Sequence, residues 1–194
     1  MNLRRVVPSG VLVAVTCLGS AVAQAPAPRH GFWADIQLGY SSLHYVTAEA
    51  GDTHRGSLAV GILAGLTPWP WLRAGLALQS WELQSGSYNE PSKGEGVGTL
   101  AAVLQVYPLP SRGLFLRAEV GRAYYTNNRP GGFDSSGWGV LVGAGYDLPV
   151  SRKLAFAAFA SYARGGLGEV VNPLATSTHR RYHVLEAGAG LSVR

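Results

Sequence analysis

Eight segments of this chain alternate between apolar residues and small or polar residues with a period of two. In the first segment, Phe32, Ile36 and Leu38 alternate with Asp35 and Gln37. Successive side chains of a β-strand point to opposite faces, so this period predicts strands that each have one apolar face. No apolar run in residues 31–194 reaches the roughly 18 to 20 residues of a membrane-spanning helix. The apolar positions are every second residue of 32–40, 58–66, 72–78, 100–106, 114–120, 138–146, 154–162 and 185–193.

Short and long connections alternate between these segments. The short ones contain proline, and the long ones are rich in Gly, Asn, Ser, Pro and charged residues, which is typical of solvated loops. This arrangement predicts an all-β fold, an eight-stranded antiparallel up-and-down barrel with both chain ends on the short-turn side. The short connections are residues 68–70, 108–113 and 148–152, and the long ones are residues 47–56, 85–96, 126–136 and 165–181.

The composition of the two strand faces indicates which face is outside. Only 14% of the residues are charged, against roughly 25% in an ordinary soluble domain. The less apolar face carries mainly Gly, Ala, Ser and Gln, which suits the narrow lumen of an eight-stranded barrel. We therefore interpret the apolar face as the lipid-facing wall of a transmembrane barrel. The alternative is a soluble lipocalin-like carrier, because Gly31 and Trp33 resemble the G-x-W of the first lipocalin strand.

Aromatic residues concentrate at the strand ends, which predicts one belt at each membrane interface. The predicted short-turn belt contains Phe32, Trp33, Trp69, Trp71, Tyr107, Phe115 and Tyr146, and the predicted long-loop belt contains Tyr40, Tyr45, Trp81, Tyr124, Tyr125, Trp138, Tyr162 and Tyr182.

The first residues have the pattern of a secretory signal. Two arginines precede a mostly apolar stretch that ends in the A-x-A sequence of residues 21–23. We predict a signal peptide over residues 1–23, a linker over residues 24–30 and a barrel domain over residues 31–194. The alternative is a lipoprotein signal acylated at Cys17, which is the single cysteine.

Segments 114–121, 137–146 and 185–193 resemble strands of the small outer-membrane β-barrel family, the OmpA-type and OmpX-type eight-stranded proteins. This resemblance implies a monomer in the cell outer membrane with both termini periplasmic. It also implies outer-membrane lipid, lipopolysaccharide and the barrel-assembly machinery as partners. One departure concerns assembly, since such barrels commonly end in an aromatic residue, whereas residues 192–194 are Ser, Val and Arg.

Charged residues on the less apolar face form the first candidate site. The resemblance implies that they pair in the lumen and plug it, because buried charges must find partners. A proton or ion path through the same residues is the alternative. The predicted network contains Asp35, Arg73, Arg117, Glu119 and Glu186, with Asp147 near the short-turn rim.

Two further candidate sites lie toward the long loops. Arg122, Arg180 and Arg181 are candidates for contacts with lipopolysaccharide phosphates. Ser42 and His44, with His183 on the adjoining strand, resemble the Ser-His pair of an outer-membrane lipid A deacylase. The resemblance lacks an assignable acidic partner. His44 and His183 are two possible metal ligands, whereas zinc sites in proteins use three or four protein ligands, so the sequence does not predict a metal site.

The sequence therefore predicts a non-enzymatic outer-membrane barrel with a plugged lumen, which serves envelope structure or surface interaction through its loops. A lipid-modifying hydrolase and a lipocalin-like carrier are the alternatives. We expect neither a cofactor nor a metal. The net charge of +5 falls to +3 when Arg4 and Arg5 leave with the leader, which argues against a nucleic-acid partner.

Overall fold

The computed structural model describes residues 30–47, 51–83, 95–127, 135–168, 170–172, 175–177 and 180–194. These residues form ten strands, eight of which close into a barrel. The predicted leader and linker lie outside the described residues, apart from His30. The strands are β1 (Gly31–Thr47), β2 (Gly51–Trp69), β3 (Leu72–Leu83), β4 (Glu95–Val106), β5 (Leu114–Asn127), β6 (Ser135–Pro149), β7 (Leu154–Gly166), β8 (Val170–Asn172), β9 (Ala175–Ser177) and β10 (Arg181–Val193).

All barrel strands pair antiparallel with their neighbours along the chain, and β1 pairs with β10 to close the barrel. We call this β1–β10 pairing the seam, and it runs from the Ala34–Val193 pair to the Val46–Arg181 pair. The register shifts between Leu66 and Trp69, where β2 enters a short turn toward β3. The predicted eight-stranded up-and-down barrel is therefore confirmed. We call its two ends the short-turn end and the long-loop end.

The apolar face of each of the eight barrel strands lies on the outside of the barrel, as predicted. Leu76 in the middle of β3 is 63% exposed and Val142 in the middle of β6 is 57% exposed. The intervening positions point inward, where Asp35 and Arg73 are almost fully buried. Within the described residues, no helix is long and apolar enough to cross a membrane.

The prediction of a long loop over residues 47–56 is wrong. β1 and β2 remain paired as far as Thr47 and Gly51, so the connection between them is residues 48–50. Polar residues in this stretch do not prevent pairing, because the ladder is made by backbone groups. The connection after β7 contains the small hairpin of β8 and β9, whereas most of the predicted loops 85–96 and 126–136 lies outside the described residues.

Six of the aromatic residues predicted for the interfacial belts lie inside the barrel instead. They occupy inward strand positions or, for Tyr107, the turn that follows β4, and their burial corrects the prediction. Three of them are at the short-turn end, namely Trp33, Tyr107 and Phe115, and three are at the long-loop end, namely Trp81, Tyr125 and Tyr182. Among the described side chains, the outward belts include Phe32, Trp69, Trp71 and Tyr146 at the short-turn end and Tyr40, Tyr124, Trp138 and Tyr162 at the long-loop end.

Candidate functional sites in the lumen and at the long-loop end

The middle of the lumen contains an ion pair between neighbouring inward positions of β5. The Nε atom of Arg117 lies 3.3 Å from Oε1 of Glu119. Arg117 also donates a hydrogen bond of 2.6 Å to Oε1 of Gln37 in β1, and its guanidinium lies over the ring of Phe159. Gln79 in β3 donates to both carboxylate oxygens of Glu119. Side chains from four strands therefore meet across the barrel axis at this level.

Arg73 occupies the lumen between the middle and the short-turn end. Its side chain is fully buried, with Nη1 3.8 Å from Oδ1 of Asp35 and a hydrogen bond of 3.2 Å to Ser192. The guanidinium also lies over the rings of Trp33 and Tyr107, at 5.1 Å and 5.3 Å from their centroids. Such cation–π contacts are attractive and add to the compensation of a buried guanidinium.

Asp147 lies near the short-turn end of the lumen. It accepts a hydrogen bond of 2.9 Å from Tyr107 and pairs with Arg194 at 3.0 Å. Gln105 donates to the same tyrosine hydroxyl, at 3.0 Å. These contacts give the carboxylate of Asp147 and the hydroxyl of Tyr107 partners in place of water, as buried polar groups require.

Glu186 contacts aromatic and polar side chains toward the long-loop end of the lumen. It accepts a hydrogen bond of 3.1 Å from the indole of Trp81 and a longer one, 3.5 Å, from Ser161. Trp81 and Tyr182 have ring centroids 6.3 Å apart at this level. An interior cavity beside these rings measures about 10 Å³, and its lining includes Thr99 and Glu119. A cavity of this size holds no more than one water molecule.

The structure thus brings the five predicted lumen charges and Asp147 to the interior, where they interact with residues that the sequence analysis did not select. The additional partners are Gln37, Gln79, Ser161, Ser192, Arg194 and the aromatic side chains of Trp33, Trp81, Tyr107 and Phe159. The strand positions of the glutamines indicate that they point inward, because they alternate with the outward apolar residues. Gln37 and Gln79 carry no charge, so charge on the less apolar face does not distinguish them from the other small and polar residues of that face.

Arginines form a second cluster, on the outward surface near the long-loop end. Arg122 donates a hydrogen bond of 2.8 Å to Ser136, and its guanidinium lies over the ring of Trp138. Arg164 and Arg181 line a groove of about 540 Å³ between β5, β6, β7 and β10, together with Trp138 and His183. Within the part of the chain that the structure describes, none of these three arginines forms an ion pair.

Arg180 does not belong to this outward cluster, contrary to the prediction from the sequence. Its side chain is buried, and the guanidinium lies 5.2 Å from the ring centroid of Tyr125 at the mouth of the lumen. Arg180 and Arg181 are consecutive, and consecutive residues at a strand end point to opposite sides. Arg164, which the sequence analysis did not select, lies on the outward side instead.

A third group surrounds the seam between β1 and β10. Ser42, His44, Tyr162, His183 and Leu185 line a groove of about 340 Å³ on the outward surface. Tyr162 Oη and His183 Nδ1 lie 2.7 Å apart. The described residues that line this groove include no carboxylate. Among the described residues, no three His, Cys, Asp or Glu side chains form a group that could hold a metal ion.

Comparisons with known proteins support the fold. No protein family matches the sequence, and no curated protein matches it. The structure is similar to Neisserial surface protein A, with a TM-score of 0.55 and 19% identity over 84% of this chain and 96% of that one. It is also similar to Ail, the attachment invasion locus protein of Yersinia pestis, in complex with the heparin analogue sucrose octasulfate, with a TM-score of 0.53 and 11% identity over 84% and 99% of the chains. The chain therefore has the fold of the small eight-stranded outer-membrane β-barrels, which confirms the resemblance seen in the sequence.

Proposed function

We propose that the protein is a non-enzymatic barrel of the outer membrane, with a lumen plugged by side chains, that serves envelope structure or surface interaction through its long loops. The observation that carries this proposal is the outward band between the aromatic belts. Its side chains are apolar on every barrel strand and include Leu38, Ile62, Leu76, Leu104, Val120, Val142 and Leu191. A surface of this kind is costly in water and is stabilised by hydrocarbon.

The connections support one orientation in this membrane. Barrels of the outer membrane have short turns on the periplasmic side and longer loops on the outer side. The short-turn end here contains both the start of β1 and the end of β10. We therefore place both termini of the barrel domain in the periplasm and propose that the protein is inserted by the barrel-assembly machinery as a monomer.

Membrane fractionation tests the proposal. We expect the mature protein in the outer-membrane fraction, soluble only with detergent, and a gel mobility that changes on heating because a closed barrel resists unfolding by detergent. Recovery as a detergent-free monomer in the periplasmic fraction would instead support the soluble carrier. The interior argues against a carrier, because buried side chains such as Arg73, Arg117 and Trp81 occupy the lumen where a carrier would hold its ligand.

The outward arginine cluster supports lipopolysaccharide as a lipid partner. Arg122, Arg164 and Arg181 are cations without acidic partners in the described structure, and they lie at the level of the long-loop aromatic belt. Guanidinium groups bind phosphate through paired hydrogen bonds, and lipopolysaccharide presents phosphates at this interface. This assignment includes Arg164 and excludes the buried Arg180.

A double variant tests this partner. Arg164→Gln with Arg181→Gln removes two charges from the groove, and Arg152→Gln removes one exposed charge from the turn between β6 and β7. We expect added lipopolysaccharide to raise the melting temperature of the unmutated barrel and of Arg152→Gln, and to raise that of the double variant much less. An equal rise in all three proteins would contradict the assignment.

A hydrolase is the second candidate function because Ser42, His44 and His183 share one groove. Nucleophilic serine chemistry needs an oriented base and an oxyanion site. The described lining of the groove includes no acidic residue that would orient a histidine. Release of fatty acid from lipid A by the purified barrel, lost in Ser42→Ala, would establish the hydrolase and overturn the non-enzymatic proposal.

A further inference from the structure

Two histidines from different strands face each other at the seam of the barrel. His44 of β1 is paired directly with His183 of β10, and their ring centroids are 5.8 Å apart with an interplanar angle of 33°. Both side chains are partly exposed, on the outward surface near the long-loop end. A third histidine, His54, occupies the β2 position that is paired directly with His44. Barrel closure pairs His44 with His183, and the β1–β2 hairpin adds the position of His54 on the other side.

We propose that His44 and His183 together bind one divalent transition-metal ion of the class that prefers imidazole, namely Cu²⁺, Ni²⁺ or Zn²⁺. An imidazole nitrogen lies about 2.0 to 2.1 Å from such an ion, which puts the ring centroid about 3.2 Å from it. Two rings that share one ion are therefore at most about 6.4 Å apart. The observed separation of 5.8 Å lies within this limit.

Tyr162 prepares His183 for this role. Its hydroxyl oxygen lies 2.7 Å from Nδ1 of His183. When Nδ1–H donates to this oxygen, Nε2 has no proton and presents the lone pair that a metal ion needs. Histidines that bind metals in proteins almost always form a hydrogen bond through their second ring nitrogen, which holds the tautomer and the ring orientation. Tyr162 is thus a positioning residue for the proposed site.

The surroundings leave room for the remaining ligands of the ion. The groove of about 340 Å³ opens to the outside, and Ser42 contributes a hydroxyl to its lining. Water molecules complete the coordination of metal ions that have few protein ligands. Arg164 is paired directly with His183 on the other side, and its positive charge opposes binding of a cation. We therefore expect Arg164→Gln to bind the ion more tightly than the unmutated barrel.

Titration of the tag-free barrel in detergent micelles with Cu²⁺, followed by calorimetry and electron paramagnetic resonance, tests the proposal. We expect one ion per barrel and nitrogen hyperfine structure from imidazole. His44→Ala and His183→Ala are each expected to abolish binding at the Cu²⁺ concentrations that saturate the unmutated barrel. Tyr162→Phe should weaken binding about tenfold, the usual effect of removing the hydrogen-bond partner of a metal-binding histidine. Heat-dependent gel mobility verifies that each variant is folded.

His30→Gln is the matched control, because His30 is exposed and lies beside the start of β1, at the opposite end of the barrel. It should bind Cu²⁺ like the unmutated protein. Binding that persists in His44→Ala, or that is lost in His30→Gln, would overturn the proposal, as would the absence of binding to the unmutated barrel. The assay does not depend on where the barrel resides in the cell, so its outcome is separate from that of fractionation.

Discussion

Leu76 and Val150 have almost equal exposed fractions, 63% and 64%, but they lie at different levels of the barrel. Leu76 is in the middle of β3, within the outward apolar band, whereas Val150 is in the short turn after β6. If both positions were in contact with water, substitution by arginine would change the stability of the barrel by a similar amount at each. In a bilayer, arginine at mid-depth costs roughly 2 to 4 kcal/mol, whereas near the interface it costs about 0 to 1 kcal/mol.

We therefore predict that Leu76→Arg impairs insertion and lowers the free energy of unfolding, whereas Val150→Arg has little effect. Folding into lipid vesicles, followed by heat-dependent gel mobility and urea titration, measures both quantities. Equal behaviour of the two variants would mean that the outward band is not in contact with hydrocarbon.

The Arg117–Glu119 pair allows a second prediction about single residues. Arg117→Met removes the cation that pairs with Glu119. The carboxylate of Glu119 stays buried and keeps the hydrogen bonds that Gln79 donates to it. Removal of one partner from a buried ion pair costs about 3 to 5 kcal/mol. The free energy of unfolding in urea should therefore fall strongly.

The double variant Arg117→Met with Glu119→Gln removes both charges and supplies the matched comparison. We expect it to be more stable than Arg117→Met alone, because no unpaired carboxylate remains in the lumen. If the double variant is no more stable than Arg117→Met, the unpaired charge of Glu119 is not what destabilises the single variant.

At the level of strands, close packing between neighbours limits which inward positions tolerate a side chain. A Cβ atom at Gly121 in β5 would overlap the carbonyl oxygen of Leu100 and the Cα of Ala101 in β4. A Cβ atom at Gly61 in β2 would have Gln37 Cβ as its nearest neighbour, at an ordinary 3.5 Å. Backbone atoms cannot move aside as a flexible side chain does. Gly121 therefore has no room for a Cβ atom, whereas Gly61 has room for one.

Gly121→Ala is therefore expected to destabilise the barrel by about 1 to 3 kcal/mol, the usual cost of overpacking. Gly61→Ala, which is also an inward substitution in the middle of a strand, should change stability by less. Melting temperatures in detergent micelles compare the two variants directly. The packing argument fails if Gly61→Ala proves to be the more damaging substitution.

The whole molecule combines an apolar outside with an interior that is polar in the middle and aromatic at both ends. Eight strands enclose little more than their own side chains. Here Arg73 and Arg117 cross the lumen, and rings such as Trp33 and Tyr182 occupy its two ends. For a hydrated ion, passage would require several of these contacts to open together.

We predict no sustained single-channel current from the purified barrel in planar bilayers. Arg117→Met with Glu119→Gln should also show none, because the aromatic rings at both ends remain in place. A steady, ion-selective current from the unmutated protein would overturn the plugged lumen and favour the alternative of an ion path through the same residues.

Much of this architecture could be predicted from the sequence because it depends on local alternation. A strand turns each successive side chain to the opposite face, so the composition of alternate positions distinguishes the apolar outside from the lumen before any pairing is known. The same rule puts Asp35, Glu119 and Glu186 inside. It also applies to Trp33 and Trp81, and the belt assignment of these tryptophans was wrong because it used strand ends and ignored alternation.

Only the tertiary structure decided which side chains meet. Arg73 contacts Ser192, 119 positions away in sequence, and His44 faces His183 across the seam. Such contacts depend on register, closure and the depth at which each side chain crosses the lumen, and these are relations between strands that no single segment encodes. The sequence by itself determined the faces and the strand order of the barrel. Closure determined the partners, because it is the step that brings distant strands to the same level.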